Sequence, residues 1–490
     1  MALDITTKSV CPECGRVINA KIFEKDGIVF MKKTCPKCGE FVERITDIQT
    51  FSRDSKYLQL LYKYIPSSDI PKCPYICETC KAHKSPTLLG IIDITNRCNL
   101  RCSYCFANAA VSGWLYEPSI ETIKKEIDFL VNQDPPASSV MFSGGEPTMR
   151  NDLPEIVKYA KSKELFVLIA TNGYRIASSP EYVKKLGDAD ILYLSFDGLT
   201  DETNTEKKNH RIINRIMDNA KQGNIGIVLV PTIIRNLNDN QIWPIVDFAS
   251  QHIDIIKGVN FQPISFSGRM SKDEREKQRF TISDLKYSLE KQSGGLIKRE
   301  DWFPIPTVLP FTKLFEKITG KKTVTFSAHP LCGEATYLFK DKNGKFIPLP
   351  RFINVDEFVN TLETHAEKLE DGINVTNSGK LLFLIKDLLS TIDFGKIEYG
   401  PELLKLLKDL ILKPGDLKVL DEFHKRFLFI GAMHFQDVYN FDIERIKYCP
   451  IHYVTPNSTR IPFCAYNALG YRENIEKQHR KPFMVQWKTK

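Results

Sequence analysis

Asn96-Arg-Cys98-Asn-Leu-Arg-Cys102-Ser-Tyr-Cys105-Phe106 decides how the rest of the chain is read. The cysteines stand at C-x3-C-x2-C, so one short loop offers three thiolates. Thiolates suit iron-sulfur clusters, and a four-iron cubane held by three of them leaves one iron free to bind a substrate or cofactor. A closed zinc site is the bland alternative, but it needs a fourth ligand and none stands beside this loop. The apolar run Leu88 to Ile94 feeds into the loop as a strand, and an aromatic residue follows it.

Outward from the loop, apolar runs alternate with helical stretches from Leu88 to Gly268, the pattern of a βα array with parallel strands. Six strands are expected: Leu88 to Ile94, Ser139 to Phe142, Phe166 to Ala170, Ile191 to Phe196, Ile225 to Val230 and Val259 to Ile264. Ligands of such sheets sit at the carboxyl ends of the strands. At those ends stand Ser143-Gly144-Gly145-Glu146-Pro147, then Thr171-Asn172-Gly173, then Ser195 and Asp197, then Asn236 and Asn238. Taken singly, the polar positions after the third, fourth and fifth strands read as ordinary turns or helix caps.

The cysteine spacing with Phe106, and the Gly-Gly-Glu-Pro turn after the second strand, together resemble the signature of the radical S-adenosylmethionine (SAM) superfamily. The resemblance implies an α/β fold, a partial (β/α)6 barrel, with a 4Fe-4S cluster on Cys98, Cys102 and Cys105. It implies SAM chelated to the open iron through its amino and carboxylate groups, and one-electron cleavage to a 5'-deoxyadenosyl radical. Phe106, Gly144, Gly145, Glu146, Pro147, Asn172, Ser195, Asp197 and Asn236 are then the expected cofactor-binding positions.

Upstream, Cys11-Pro-Glu-Cys14-Gly and Cys35-Pro-Lys-Cys38-Gly form an internal repeat with 20 residues between Cys14 and Cys35. This is the spacing of a four-thiolate tetrahedral site for one ion, and a rubredoxin iron and a ribbon zinc both fit it. Alternation between the knuckles suggests a hairpin across Ala20 to Lys32. A helix through Tyr57, Leu61 and Tyr64 then delivers Cys73, Cys77 and Cys80, which repeat the triple spacing but are followed by Lys81. Downstream, Cys332, Cys449 and Cys464 bring the total to 13. The six cysteines outside the first two sites make two auxiliary clusters of three, or one four-cysteine site with two bystanders. His434, His452 and Glu334 are candidates to complete a cluster.

The expected organisation is residues 1–50 as a metal domain, 51–86 as a linker with the first triple, 87–270 as the radical SAM core, and 271–490 as an auxiliary-cluster and substrate domain. Leu403, Leu404, Leu407, Leu410 and Ile411 share one face of a basic amphipathic helix, which packs into the last domain or lies on a membrane surface.

Taken whole, this order of cysteine groups, with Gly431 to Asp442 near the end, resembles an archaeal radical SAM lineage, that of tetraether lipid synthase. The resemblance implies a rubredoxin-like iron, the SAM cluster and two auxiliary 4Fe-4S clusters. It also implies carbon-carbon bonds between the isoprenoid ends of archaeal diether phospholipids. An external electron donor such as ferredoxin goes with that chemistry. The same lineage is linked to methylation of the pterin cofactor of methanogens, so a pterin methylase is the alternative, with peptide modification beside it and an electron-transfer iron-sulfur protein as the reading from a different class.

Composition narrows the setting. The chain has 490 residues, is 42% hydrophobic and 26% charged, and carries a net charge of +8. These values fit a globular protein of several units and exclude wholesale disorder. The excess of cations is mild enough to serve solubility alone, and no nucleic-acid partner is expected. Met1 to Val10 is polar, and no apolar run approaches the ~18 residues that span a bilayer. With cysteines at metal spacings, a cytoplasmic metalloprotein is expected, in peripheral contact with the membrane if its substrate is a lipid.

Overall fold

A computed structural model describes residues 3–66, 70–109, 112–267, 272–369, 379–399, 401–413 and 416–480. It begins with four antiparallel strands that neighbour one another in chain order: β1 (Asp4–Val10), β2 (Val17–Lys25), β3 (Ile28–Cys35) and β4 (Gly39–Asp47). Ala20, Ile22, Val29 and Met31 alternate onto one face and pack with Ile45 and Phe51. Between β2 and β3, Asp26 and Gly27 both take positive φ, the backbone of a tight hairpin turn. The cysteine knuckles are the β1–β2 and β3–β4 turns, where Gly15 and Gly39 adopt left-handed conformations that a side chain would disfavour.

The helix Ile48–Tyr64 follows, capped by Asp47, whose carboxylate accepts from Thr50 N at 2.7 Å. Its buried residues Phe51, Tyr57 and Leu61 face the body of the protein.

The central sheet is built from β5 (Leu89–Thr95), β6 (Ser139–Gly144), β7 (Phe166–Thr171), β8 (Ile191–Ser195), β9 (Gly226–Val230), the short β10 (Thr232–Ile233) and β11 (Ile256–Pro263). The six long strands run parallel and lie side by side in chain order. Such a sheet needs both faces covered. On one face Ile92, Phe142, Ile169, Leu192 and Leu229 pack against the connecting helices in a single core. On the other, Leu168, Ala170, Tyr193 and Val228 are half-buried and line the hollow of an open barrel.

The carboxyl-terminal region joins the same sheet at both edges. It contributes β12 (Phe303–Pro304), β13 (Gly333–Lys340), β14 (Phe346–Pro348), β15 (Phe427–Met433), β16 (Ile451–Val454) and β17 (Arg460–Pro462). β15 lies parallel beside β11 with β13 antiparallel beyond it, while β16 lies parallel beside β5. Among the described residues the result is one sheet of 13 strands. The fold is therefore the expected α/β barrel with an amino-terminal metal ribbon. The expected boundary at 270 falls on residues 268–271, outside the described ones. In the helix Pro401–Leu412, Leu403 and Leu406 are buried against Phe352 and Phe427, so this face packs inward. Among the described residues no helix is long and apolar enough to cross a membrane.

Candidate functional site

The Cys98 loop leaves the carboxyl end of β5, and the turn after β6 closes on it. Gly145 N donates to Thr95 O at 2.7 Å and Glu146 N to Arg97 O at 2.8 Å. This approach needs bare glycines: a Cβ on Gly144 would lie 2.1 Å from Thr95 O, and one on Gly145 would lie 2.2 Å from Arg97 O. Gly144 also holds φ at +122°.

Glu146 is buried, and its carboxylate is fully engaged by protein donors. It accepts from Thr148 N at 3.1 Å, Thr148 Oγ1 at 2.6 Å, Thr171 Oγ1 at 2.8 Å and Asn172 N at 2.7 Å. Burial raises its carboxyl, and these four donors oppose the rise. Its role in the geometry is to weld the ends of β6 and β7. Pro147, at the start of a short 3-10 turn, is buried beside it. Asn172 extends the weld to the loop by donating through Nδ2 to Asn99 Oδ1 at 2.8 Å.

Asp197, after β8, does the same from the other side. It accepts from Tyr104 OH and Lys207 Nζ, both at 2.5 Å, and from Thr232 N at 2.9 Å. Tyr104 lies between Cys102 and Cys105, so this carboxylate pins the loop to the ends of β8 and β10. Asn209 Nδ2 bridges Asn172 O at 3.0 Å and Ser195 O at 2.7 Å. Asn236 is an exposed residue with left-handed backbone, whereas Asn238 is buried and donates to Asp197 O and Thr232 O, both at 2.8 Å. The second asparagine of that stretch, not the first, is built into the strand ends. Asn99, Tyr104, Lys207 and Asn209 are additions that sequence reading missed, since each is a lone polar residue in a loop.

Burial pushes the Cys98 thiol up to about 12 and Cys102 up to about 11, so a cationic metal is what would draw off their protons. Among the described residues, the only group of three or more potential ligands whose atoms all lie within 4.8 Å of one another is Cys11, Cys14, Cys35 and Cys38. That convergence fits one ion. The Cys98 triple falls outside that limit, and three thiolates with no fourth ligand beside them suit a cluster better than a closed zinc site.

The remaining cysteines gather in two threes. Cys73, Cys77 and Cys80 surround a short turn against Tyr471, whose hydroxyl accepts from Cys77 N at 3.3 Å and donates to Pro74 O at 2.9 Å. Burial, with Cys73 and Cys80 adding to it, pushes Cys77 up to about 12. Cys332, Cys449 and Cys464, far apart in sequence, meet around the buried Arg445, which donates to Cys332 Sγ at 3.5 Å and to His434 O at 2.8 Å. Burial, with Cys332 adding to it, pushes Cys449 up to about 12. Glu334 is taken by Lys286 at 2.8 Å and by Arg53, and His452 by His83 at 3.0 Å. Neither is a free ligand. His434 is buried with Nε2 unpartnered.

The tail closes the hollow of the barrel. Arg472 donates to Asp93, on the hollow side of β5, and to Tyr453 OH at 2.9 Å. Glu476 accepts from Trp114 Nε1 at 3.0 Å and from Asn96 Nδ2 at 3.4 Å, which ties the last helix to the decisive loop. Beside the loop is a narrow cleft of about 30 Å³ walled by Tyr104, Phe106, Gln262, Phe435 and Phe463, where Gln436 and Asn467 are already engaged: Gln436 Oε1 accepts from Asp442 N at 2.7 Å and Asn467 Oδ1 from Arg472 Nε at 3.1 Å. Phe435 stacks on Phe463 at 4.0 Å, and Phe106 meets Phe463 edge-on at 5.8 Å. A roomier cavity of about 630 Å³ lies between β1, the helix Ile48–Tyr64 and the tail, and reaches none of the polar strand ends.

Comparison with known proteins agrees with this layout. The radical SAM superfamily profile matches residues 92–249, and a family described as the HMPTM N-terminal zinc ribbon domain matches residues 5–47. The 7,8-dihydro-6-hydroxymethylpterin dimethyltransferase of Methanocaldococcus jannaschii is 40% identical over 98% of this chain and 96% of its own. Fe-coproporphyrin III synthase of Methanosarcina barkeri is 35% identical over 42% of this chain and 49% of its own. The SAM-bound structure of SuiB from Streptococcus suis overlays with a TM-score of 0.36 at 16% identity, over 56% of this chain and 70% of its own, too loose a likeness to add weight.

The expected coupling of isoprenoid lipid ends, with diether phospholipids as partners, is overturned by the first of these relatives, a pterin dimethyltransferase matched along almost the whole chain.

Proposed function

Because the chain belongs to the radical SAM superfamily, and to the family of that pterin dimethyltransferase, we propose that it methylates a reduced hydroxymethylpterin, 7,8-dihydro-6-hydroxymethylpterin or a close analogue. The 40% identity over 98% of the chain carries this reading. The match of residues 5–47 to the HMPTM N-terminal zinc ribbon domain supports it.

The enzyme uses a 4Fe-4S cluster and SAM, and needs an external electron donor. When bound, the cluster supplies one-electron cleavage of SAM to a radical that takes hydrogen from carbon, a reaction outside acid-base chemistry. The residues of the chain orient and enclose. Cys98, Cys102 and Cys105 would hold the cluster, and the backbone of Gly144 and Gly145 would meet the methionyl end of SAM. Glu146, Asn172, Asn209 and Asp197 fix the loop through the hydrogen bonds already described. Arg472 and Glu476 draw the tail across the barrel, excluding water from a reactive radical. The two further cysteine threes would each hold an auxiliary cluster, and the ribbon a single metal ion.

Reconstituted protein given a strong reductant, the dihydropterin, SAM for cleavage and a separate methyl donor, either further SAM released as S-adenosylhomocysteine or a reduced one-carbon carrier, should release 5'-deoxyadenosine and methionine and yield a pterin heavier by two methylene units. Vigorous SAM cleavage with the pterin recovered unchanged would overturn the assignment.

A further inference from the structure

The first cysteine triple, Cys73, Cys77 and Cys80, has the spacing of the Cys98 triple but a different sequel. Phe106 follows Cys105, whereas Lys81, Ala82 and His83 follow Cys80, which extends the series to C-x3-C-x2-C-x2-H. Three residues of chain span at most about 10–11 Å, so the imidazole stays within reach of the turn that carries the cysteines. The chain beyond the turn is also held down. Arg460 Nη2 donates to His83 O at 3.3 Å and Ser85 Oγ to Lys447 O at 3.2 Å, while β17, which carries Arg460, packs on the short turn that starts at Cys77.

The hydrogen bonds of His83 settle its tautomer. Nε2 lies 3.1 Å from Cys449 O and 3.0 Å from His452 Nε2. A carbonyl only accepts, so His83 Nε2 carries a proton and His452 Nε2 accepts a share of it. His452 then faces Thr87 Oγ1 through Nδ1 at 3.1 Å, and Thr87 donates to Gln133 Oε1 at 2.8 Å. Both nitrogens of His452 are thereby engaged. The half-buried His83 ring has Arg460 beside it and, among the described residues, no carboxylate bonded to it, so it stays neutral. Its Nδ1 is left with a lone pair that has no partner among the described residues.

One nitrogen with a free lone pair, and the other donating its N–H to a backbone carbonyl, is the arrangement of a metal-binding histidine, because the outer bond fixes the tautomer and orients the ring. We propose that His83, through Nδ1, is the fourth ligand of the cluster on Cys73, Cys77 and Cys80. With its fourth iron closed, the first triple offers no vacant iron to SAM, and this separates two triples of equal spacing. The N–H of the same imidazole rests on the backbone of Cys449, so one side chain ties the two auxiliary sites together. The inference rests on the reading above that each further three holds a cluster.

The test uses the full chain with Cys98, Cys102 and Cys105 all replaced by alanine, reconstituted and reduced, so that the auxiliary clusters alone give an electron paramagnetic resonance signal. Pulsed measurement reads nitrogen bound directly to iron, and growth on ¹⁵N-histidine identifies histidine as its source. In this parent, His83→Cys keeps a ligand at the position, and His83→Ala removes it and is measured with and without added imidazole.

The parent should show a strong nitrogen coupling that the ¹⁵N label alters. His83→Cys should lose it and keep the iron, and the reduction potential of that cluster should drop, since imidazole ligation raises potential relative to thiolate. His83→Ala should regain the coupling when imidazole is added. Iron for two clusters with no histidine coupling in the parent, or a coupling that survives both substitutions, overturns His83 as a ligand while leaving the clusters standing. Iron for fewer than two clusters in the parent overturns the reading of the cysteine threes, and this inference with it.

Discussion

Arg279 and Asp437 face one another in a buried two-pronged ion pair, with guanidinium nitrogens 2.7 and 3.1 Å from the carboxylate oxygens. Arg279 Nε also donates to Glu43 of β4 at 2.9 Å, and Lys33 of β3 donates to Val438 O at 2.8 Å. The metal ribbon is therefore clamped to the tail by buried charges. That is the arrangement of a structural module, since burying charges is tolerable only when each is matched.

Replacing Arg279 by methionine keeps the bulk but leaves the buried Asp437 carboxylate without its guanidinium, while Glu43 keeps its pair with Arg275. Losing one partner of a buried ion pair costs about 3–5 kcal/mol. The urea midpoint of Arg279→Met should fall accordingly, and amide hydrogen exchange should quicken in β3 and β4 before it does in β6 and β7. Unchanged exchange in the ribbon would count against the clamp.

The same pair sets an acid limit. Burial alone would raise the Asp437 carboxyl, but the Arg279 charge and its hydrogen bonds outweigh burial and hold it at about 2, below the ordinary value near 3.9. A carboxyl depressed in the folded state stabilises fully above its unfolded value and loses that contribution as pH falls through the folded one. The contribution is about 2 kcal/mol and fades between about pH 4 and pH 2. Asp437→Asn should therefore be less stable than the wild type at pH 5, with the gap narrowing toward pH 2. Comparing urea midpoints across that range cancels metal loss common to both proteins, and a gap independent of pH would contradict the pairing.

Much of this architecture was legible because parallel strands buried on both faces read as continuous apolar runs. The six expected strands lie within three residues of the observed ones at either end. The Gly144 and Gly145 turn was legible because only glycine permits its closeness to Thr95 and Arg97. What escaped were partnerships across long separations. β15 pairs with β11, and β16 with β5, after more than a hundred intervening residues, and no local pattern records such a choice. For the same reason Asn238 could not be ranked above Asn236, since both are asparagines in one turn and only the fold decides which is buried.

Glu146→Gln tests whether the weld at the strand ends serves the cofactor. One carboxylate oxygen becomes an amide nitrogen facing donors, in a site where Thr148, Thr171 and Asn172 all donate. Leaving buried groups mismatched costs about 1–3 kcal/mol. The slackening should pass through Asn172 to Asn99 and the cysteine loop, so SAM affinity should drop by about tenfold, for a loss of about 1.4 kcal/mol. Equilibrium dialysis with SAM measures it, alongside iron content. Wild-type affinity would show that the loop is held without this carboxylate.

The metal sites should be separable by mutation because they stand on different elements. The ribbon ligands converge from two knuckles of the amino-terminal sheet, while the Cys98 triple hangs from β5. Replacing Cys98, Cys102 and Cys105 together by alanine should abolish 5'-deoxyadenosine release and leave the ribbon ion in place, one per chain by metal analysis. Cys14→Ser should do the opposite to the metals, removing the ribbon ion and sparing most of the iron. Closing the two knuckles around an ion is part of folding for so small a sheet. Loss of the ion should therefore lower the melting temperature and loosen Lys33 and Glu43 from the tail, a change visible as faster exchange in β3 and β4. Release of 5'-deoxyadenosine by the alanine variant, or full retention of a tightly held ribbon ion after Cys14→Ser, would break the assignment of ligands to sites.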